Sequence, residues 1–286
     1  MQTQTKLPPF KGKPLIEIPK EVPTIGFMEG DFGQAVLEEY KGRISSDYNN
    51  APALNVLSYE NGVVKGSNPF AVALVNQIIS QDGLRVAKQS DLEKAMRINA
   101  LQLLGQYEDT GLVLRSEGEP NSYLAKNLTE QIKARNRKSK LPVMIPLTSV
   151  ELANDSNSPY GLNFKLKEDA EIIYAPILNK DGRFSSEDID VETGLPLNLG
   201  KGNRNLYTRN SGLSWLFLNR NSYLNSRNDF LSYSDVNGRV VVVSAEGASP
   251  QNSEKYESER REAKEAYLRK LEELKERIDA ELRAKK

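Results

Sequence analysis

The 286-residue chain contains neither cysteine nor histidine. The first absence excludes disulfides, thiolate metal sites and thiol nucleophiles. The second excludes Ser-His-Asp chemistry, imidazole ligation of metals and the usual general base near neutral pH. An excess of charge of either sign is also missing. The 39 basic and 39 acidic residues cancel, so no basic bias draws the chain toward nucleic acid. No stretch approaches the roughly 18 apolar residues needed to span a bilayer. Residues 1–13 are polar and proline-containing, unlike a signal peptide. We expect a chain made in the cytoplasm, with display on a virion or cell surface left open. An enzyme would have to work with Asp, Glu, Lys, Tyr or Ser, and no catalytic spacing of these is visible. No enzymatic activity, cofactor or metal site is expected.

What is present is concentrated in residues 209–246. Leu213, Leu216, Leu218, Leu224 and Leu231 are spaced through this stretch, and Val240, Val241, Val242 and Val243 close it. Over residues 219–237, 13 of 19 positions are Asn, Ser, Tyr or Asp. A disordered tract has few aromatics and few apolar residues, and this one is punctuated by both. Tyr gives large contact area at low entropy cost, and Asn and Ser give adaptable hydrogen bonds, as in antibody loops. A ligand-binding surface over residues 215–237 is therefore expected. Trp215, Phe217, Arg220, Tyr223, Phe230 and Tyr233 would be its anchors, since hot spots favour Trp, Tyr and Arg. Asn219, Asn221, Ser222, Asn225, Asn228, Asp229, Ser232, Asp235 and Asn237 would supply hydrogen bonds, with Arg227 and Val236 completing the set. Core packing is the competing reading for Trp215 and Phe217.

The segment also carries a genetic signature. An Asn codon, AAC or AAT, changed at one or both adenines yields Tyr, Ser, Asp, Phe, Val, Arg, Gly, Ile or Thr, and never a stop. Every residue between the leucines of 219–237 lies within that reach, and Trp215 is reachable from AGG. The segment resembles the C-terminal repeat of variable proteins of diversity-generating retroelements, in which a reverse transcriptase rewrites adenines. Those proteins have a C-type-lectin-like fold of the formylglycine-generating-enzyme type. Their repeat ends in a Gly-(Phe)-Arg-Val-Val strand; here Gly238-Arg239-Val240-Val241 lacks the Phe. More closely, residues from about 83 to 246 resemble variable proteins of small-genome archaea and candidate bacterial phyla. In those, Tyr-Thr-Arg-Asn-Ser-Gly-Leu-Ser leads into the repeat, as residues 207–214 do here.

The resemblance implies an α+β, C-type-lectin-like domain with short mixed sheets and a variable region over about 205–244. It implies diversified binding of an unknown protein or a cell-surface or viral ligand, without catalysis. The cysteine chemistry of formylglycine-generating enzymes has no counterpart here. The alternative is a structural or assembly protein, a virion or cell-envelope component, whose fixed polar repeat packs against neighbours.

Around that segment the chain reads as three parts. Residues 1–29 form a proline-rich arm (Pro8, Pro9, Pro14, Pro19, Pro23), laid against the domain by Leu15, Ile16, Ile18 and Val22. Residues 30–246 form the binding domain. Residues 247–286 form a charged amphipathic helix, with Ala263, Tyr267, Leu271, Leu274, Ile278 and Leu282 three and four apart. So narrow a stripe suits a coiled coil, self-association through residues 251–286 or a partner; the plainer reading is a helix lying on its own domain. Within the domain, helices are expected over 30–44, from Pro69 to Gly83 with Asn68 as cap, after a Ser90–Glu93 capping box, and over 121–135. Arg85 and Glu93 also match an Arg-Leu-Pro-Thr-Glu-x-Glu-Trp-Glu region of formylglycine-generating-enzyme-type folds, with the Pro and Trp missing. Strands are expected over 141–147, 160–166, 171–178 and 238–244, and an ordered loop over 187–205.

Four further signals are weak. Glu119-Pro120-Asn121 matches the sugar-binding tripeptide of calcium-dependent lectins but lies far upstream of the repeat, with only Arg227-Asn228-Asp229 to echo a Trp-Asn-Asp partner. Glu187, Asp188, Asp190 and Glu192 read as a solvated acidic loop, because their spacing fits no calcium loop. Lys133, Arg135, Arg137, Lys138 and Lys140 read as a cationic helix end. Asn127-Leu128-Thr129 is a glycosylation sequon, without meaning unless the chain is secreted.

Overall fold

A computed structural model describes residues 6–15, 23–136 and 140–244, and Lys275. The chain divides into two units, residues 1–246 and 247–286. Of the second only Lys275 is described, helical and exposed, so the amphipathic stripe expected there lies outside the described residues. In chain order the elements are β1 (Lys13–Pro14), β2 (Thr24–Phe27), α1 (Gly30–Asp47), β3 (Ser58–Glu60), β4 (Val63–Lys65), α2 (Pro69–Ile79), β5 (Leu84–Val86), α3 (Gln89–Arg97), β6 (Tyr107–Leu114) and α4 (Ser122–Arg135). There follow β7 (Val143–Pro146), β8 (Val150–Asn154), β9 (Leu162–Leu166), β10 (Ile173–Tyr174), β11 (Gly182–Phe184), β12 (Arg204–Tyr207), β13 (Leu213–Leu218), β14 (Leu224–Asn225), β15 (Gly238–Arg239) and β16 (Val241–Ser244).

Local chemistry sets the helices. Asn68 accepts the Ala71 amide at 2.8 Å, Pro69 takes the first helical position, and Gly83, at φ 71°, closes the turn after α2. This helix is apolar on nearly every side and correspondingly buried. Phe70 stacks on Phe164 with ring centroids 4.8 Å apart. Its one buried amide, Asn76, is satisfied by accepting the Val86 amide at 3.0 Å. The helices over 30–44 and 121–135 form as expected. The expected capping box does not. Lys88, not Ser90, is the N-cap, and the Asp91 carboxylate accepts the Lys88 amide at 2.8 Å. Asp91 is fixed there by Arg85, which leaves Glu93 free for another partner.

The fold is α+β with short sheets. A four-stranded antiparallel sheet has the order β1-β2-β16-β5. A larger mixed sheet has the order β10-β7-β6-β13-β14-β12-β11, with β15 added in parallel to β6. β3–β4 and β8–β9 are separate pairs.

Several expectations change. The arm ends before residue 29: β2 lies between β1 and β16, with Ile25 fully buried, so residues 24–27 belong to the domain. Leu15 is buried as expected, while Ile16, Ile18 and Val22 lie outside the described residues. Only Ile173–Tyr174 of the 171–178 run is a strand, because Pro176 starts a short 3-10 turn. The 238–244 run splits between the two sheets at Val240. Gly238 allows the split, since a Cβ there would come within 2.7 Å of the Ser67 amide nitrogen.

Candidate ligand-binding surface

The site begins with β13, which enters the core and never surfaces. It pairs with β6 along its whole length, with a register shift between Leu216 and Phe217. Leu213, Trp215 and Phe217 pack into the apolar cluster around α2 and α4. Leu216 and Leu218, from the other face, pack into a second cluster. With both faces covered, no side chain of the strand reaches solvent. Trp215 and Phe217, 2% and 8% exposed, are therefore core residues stacked 5.5 Å apart, and not the expected surface anchors.

From Asn219 the chain leaves the core and alternates between fixed and free positions. Leu224, Ser226 and Leu231 are fully buried. Between them Arg220, Asn221, Arg227, Asn228, Asp229, Phe230, Tyr233 and Val236 are exposed. Asn219, Ser222, Tyr223, Asn225, Ser232, Asp235 and Asn237 are half-buried. Phe230, Tyr233 and Val236 reach 62%, 46% and 67% exposure, so three large apolar groups face water within seven residues.

Some expected ligand contacts instead shape the loops. Asn219 Oδ1 accepts the Asn221 and Tyr223 amides at 2.9 and 3.0 Å. Asn225 Oδ1 accepts the Arg227 amide, and Asp235 Oδ1 the Asn237 amide. These are local side-chain-to-backbone bonds of the kind Asn and Asp favour in turns. They fix the backbone from which Arg220, Phe230, Tyr233 and Val236 project.

The scaffold grips the segment from beneath at four points. Arg115, buried and without a salt bridge among the described residues, donates to the Leu178 carbonyl at 2.9 Å, Ser214 Oγ at 2.8 Å and Ser226 Oγ at 2.7 Å. Burial, with Arg209 adding to it, pushes its pKa down to about 9, still leaving it charged at neutral pH. Arg204 pairs with Glu93 and reaches the Ser222 carbonyl. Asn121, at φ 60°, donates to the carbonyls of Leu213 and Asp229 at 2.9 and 2.7 Å and accepts the Tyr160 hydroxyl. Asn68 donates to the Ser232 carbonyl at 3.3 Å. The Glu119-Pro120-Asn121 tripeptide thus lies beside residues 213 and 229 in space, contrary to its distance in sequence. Its Asn121 is occupied in holding them.

At the rim, Arg227 bonds Asp181 and lies 5.5 Å from the Tyr207 ring, and Arg209 pairs with Asp229 at 3.0 Å. Exposed pairs of this kind contribute about 0–1 kcal/mol each and orient side chains more than they stabilise.

The weaker candidates do not assemble. Asp190 caps its own turn through the Thr193 amide. Lys133 pairs with Glu117, and Arg135 donates to two carbonyls, while Arg137 and Lys138 lie outside the described residues. Thr129 of the sequon is buried in α4 and donates to the Ala125 carbonyl. Among the described residues, no group of three acidic side chains could hold a metal ion, and no helix is long and apolar enough to cross a membrane. Comparison with protein-family models, with curated proteins and with solved structures finds no match to the chain.

Proposed function

We propose that the chain is a ligand-binding protein with a C-type-lectin-like scaffold, whose contact surface lies within residues 219–237 and is diversified by adenine-directed rewriting. The observation that carries this reading is the division of labour along the segment. Buried leucines, serines and Asn-capped turns fix the backbone, and exposed side chains between them are free to vary without touching the core. Phe230, Tyr233 and Val236, with Arg220, Asn228 and Asp229, give the exposed positions of the segment a mixed apolar and polar character. That mixture suits a protein ligand or a cell-surface or viral epitope, where aromatic groups and Arg dominate contact energy. Trp215 and Phe217 belong to the frame.

The test is the DNA flanking the gene. A non-coding copy of codons 205–244 beside a reverse transcriptase gene, differing only at adenines, is the expected result. The differences should fall at exposed positions such as Arg220, Phe230, Tyr233 and Val236, and spare Leu224, Ser226 and Leu231. A gene with no such copy overturns the diversification reading and leaves a fixed polar surface, as an assembly protein would have.

A further inference from the structure

The least satisfied polar groups near the variable loop are two consecutive carboxyls. Along the edge of β6 away from β13, β15 pairs with Tyr107 and Glu108, and β7 with residues 111–114. Asp109 and Thr110 fall at the break between them. Glu108 is 2% exposed and Asp109 4%. Among the described residues, neither Glu108 oxygen has a hydrogen-bond partner, and Asp109 Oδ1 has none. Both side chains border a narrow void otherwise lined by Val72, Val86, Ala87, Leu92, Val240 and Val241, with no room for a water molecule.

A carboxylate in such a place lacks both hydration and donors, so the neutral acid is the form that fits. Burial pushes Glu108 well above the usual carboxylate range, with the Asp109 charge adding to it and Arg239 opposing. Burial also pushes Asp109 up to about 7; the Ser67 hydroxyl holds it back, helped by the nearby Trp215 indole, whose Nε1 makes no hydrogen bond of ordinary geometry, and Asp235 raises it. The remaining titratable neighbour, Tyr107, is itself raised by burial and by Asp109. The α2, α3, β5 and β16 residues at the void are uncharged. Asp109, which has a donor in the Ser67 hydroxyl where Glu108 has none among the described residues, is the carboxyl of the pair better able to carry charge, near neutrality.

Its hydrogen bonds lead directly to the variable loop. The Ser67 hydroxyl donates to Asp109 Oδ2. The Ser67 amide donates to Ser234 Oγ at 3.0 Å, and its carbonyl accepts the Tyr107 hydroxyl at 3.1 Å. The same Tyr107 oxygen accepts the Asp235 amide at 2.8 Å, and the Gly66 amide donates to the Gly238 carbonyl at 2.9 Å. Residues 234–238 therefore hang on residues 66–67 and Tyr107, all clustered around one buried carboxyl.

We propose that Glu108 and Asp109 form a proton-operated clasp: with both carboxyls neutral the 234–238 loop is held closed, and ionisation of Asp109 draws in water, repels Asp235 and releases it. A consequence for ligand contact rests on residues 219–237 being the binding surface; the clasp itself does not. Protons, rather than a metal cation, are the ligand favoured by a void whose other lining side chains are all apolar.

The full chain carries its own reporter, since Trp215 is its only tryptophan and its indole faces Asp109. Trp215 emission, titrated from acid to alkaline pH, should change sigmoidally with a midpoint near neutrality. Over the same range, hydrogen exchange at the Asp235 and Ser67 amides, corrected for the intrinsic pH dependence, should accelerate several-fold. Asp109→Asn should abolish both changes. Ser67→Ala, which removes a donor to the charged form, should move the midpoint to higher pH, and tests the clasp even where Asp109→Asn folds poorly. Flat emission in the unaltered chain, or a midpoint unmoved by Ser67→Ala, overturns the proposal. So does an emission change produced at fixed pH by calcium, magnesium or potassium, which would make the pair a cation site. No ligand is used, so failure here leaves the binding-surface reading standing, and a gene without an adenine-altered copy leaves the clasp standing.

Discussion

Arg204 on β12 holds Glu93 on α3 with both terminal nitrogens, at 2.6 and 2.8 Å, while its Nε donates to the Ser222 carbonyl at 2.5 Å. Both side chains are almost wholly buried, and Gln89 adds a further donor to Glu93 at 2.9 Å. The pair joins a scaffold helix to the first exposed turn of residues 219–237. Removing one partner strands a buried charge, so Arg204→Ala should cost about 3–5 kcal/mol in chemical denaturation. A loss below about 1 kcal/mol, the range of exposed pairs, would show the site to be solvated.

Arg115 has no ion-pair partner among the described residues, and its planar fork is matched to two serines and a carbonyl. Arg115→Lys keeps the charge and loses the fork. Leaving a buried acceptor without its donor costs about 1–3 kcal/mol. Unfolding midpoints should fall accordingly, and amide shifts should move at Ser214, Leu178 and Ser226. A lysine variant as stable as the parent would mean that charge alone is needed there.

Fixed and free positions should separate in stability. Leu224→Ala and Leu231→Ala, both at fully buried sites, should each lose about 2–5 kcal/mol. Phe230→Ser, Tyr233→Ser and Val236→Ser should each stay within about 0.5 kcal/mol of the parent, as exposed substitutions do. Thermal unfolding of the five variants checks both halves. A large loss in the serine set would mean that these side chains pack, and would favour an assembly role.

Stability should fall as pH rises toward and past neutrality. An unfolded Asp titrates near ~3.9, whereas burial holds Asp109 at about 7 in the folded chain. The folded state keeps its proton longer, so the full contribution is present below about pH 4 and drains as pH rises through the folded value. Glu108, raised in the same direction by burial, adds to the decline. Urea midpoints across pH should show this slope, and Asp109→Asn should flatten its neutral part. A slope identical in the variant would assign the effect elsewhere.

The helices were legible because their signals are local. Asn68 followed by Pro69 caps α2, and apolar periodicity marks 121–135. β6 was not legible, although all eight of its residues are buried. Its first half reads Tyr-Glu-Asp-Thr, which breaks any apolar pattern; Asp109 and Thr110 find distant partners in Ser67 and Gln89, and Glu108 finds none among the described residues. Trp215 and Phe217 sit in a run of six residues, five of them apolar, which is equally the mark of a strand buried on both faces. Composition could not decide between that and a surface anchor. Arg115 and Arg204 left no trace, and Asn121 stood out only within a sugar-binding tripeptide, because what identifies their role is a partner roughly 90 to 110 residues away in the chain, a separation no local pattern encodes.

The last strand among the described residues, β16, comes after the exposed segment and lies between β2 and β5. A chain that stops or shifts frame anywhere in residues 219–237 arrives without this strand and leaves two sheet edges open, which invites aggregation. Completing the sheet thus checks the reading frame of those residues and is indifferent to the exposed side chains between them.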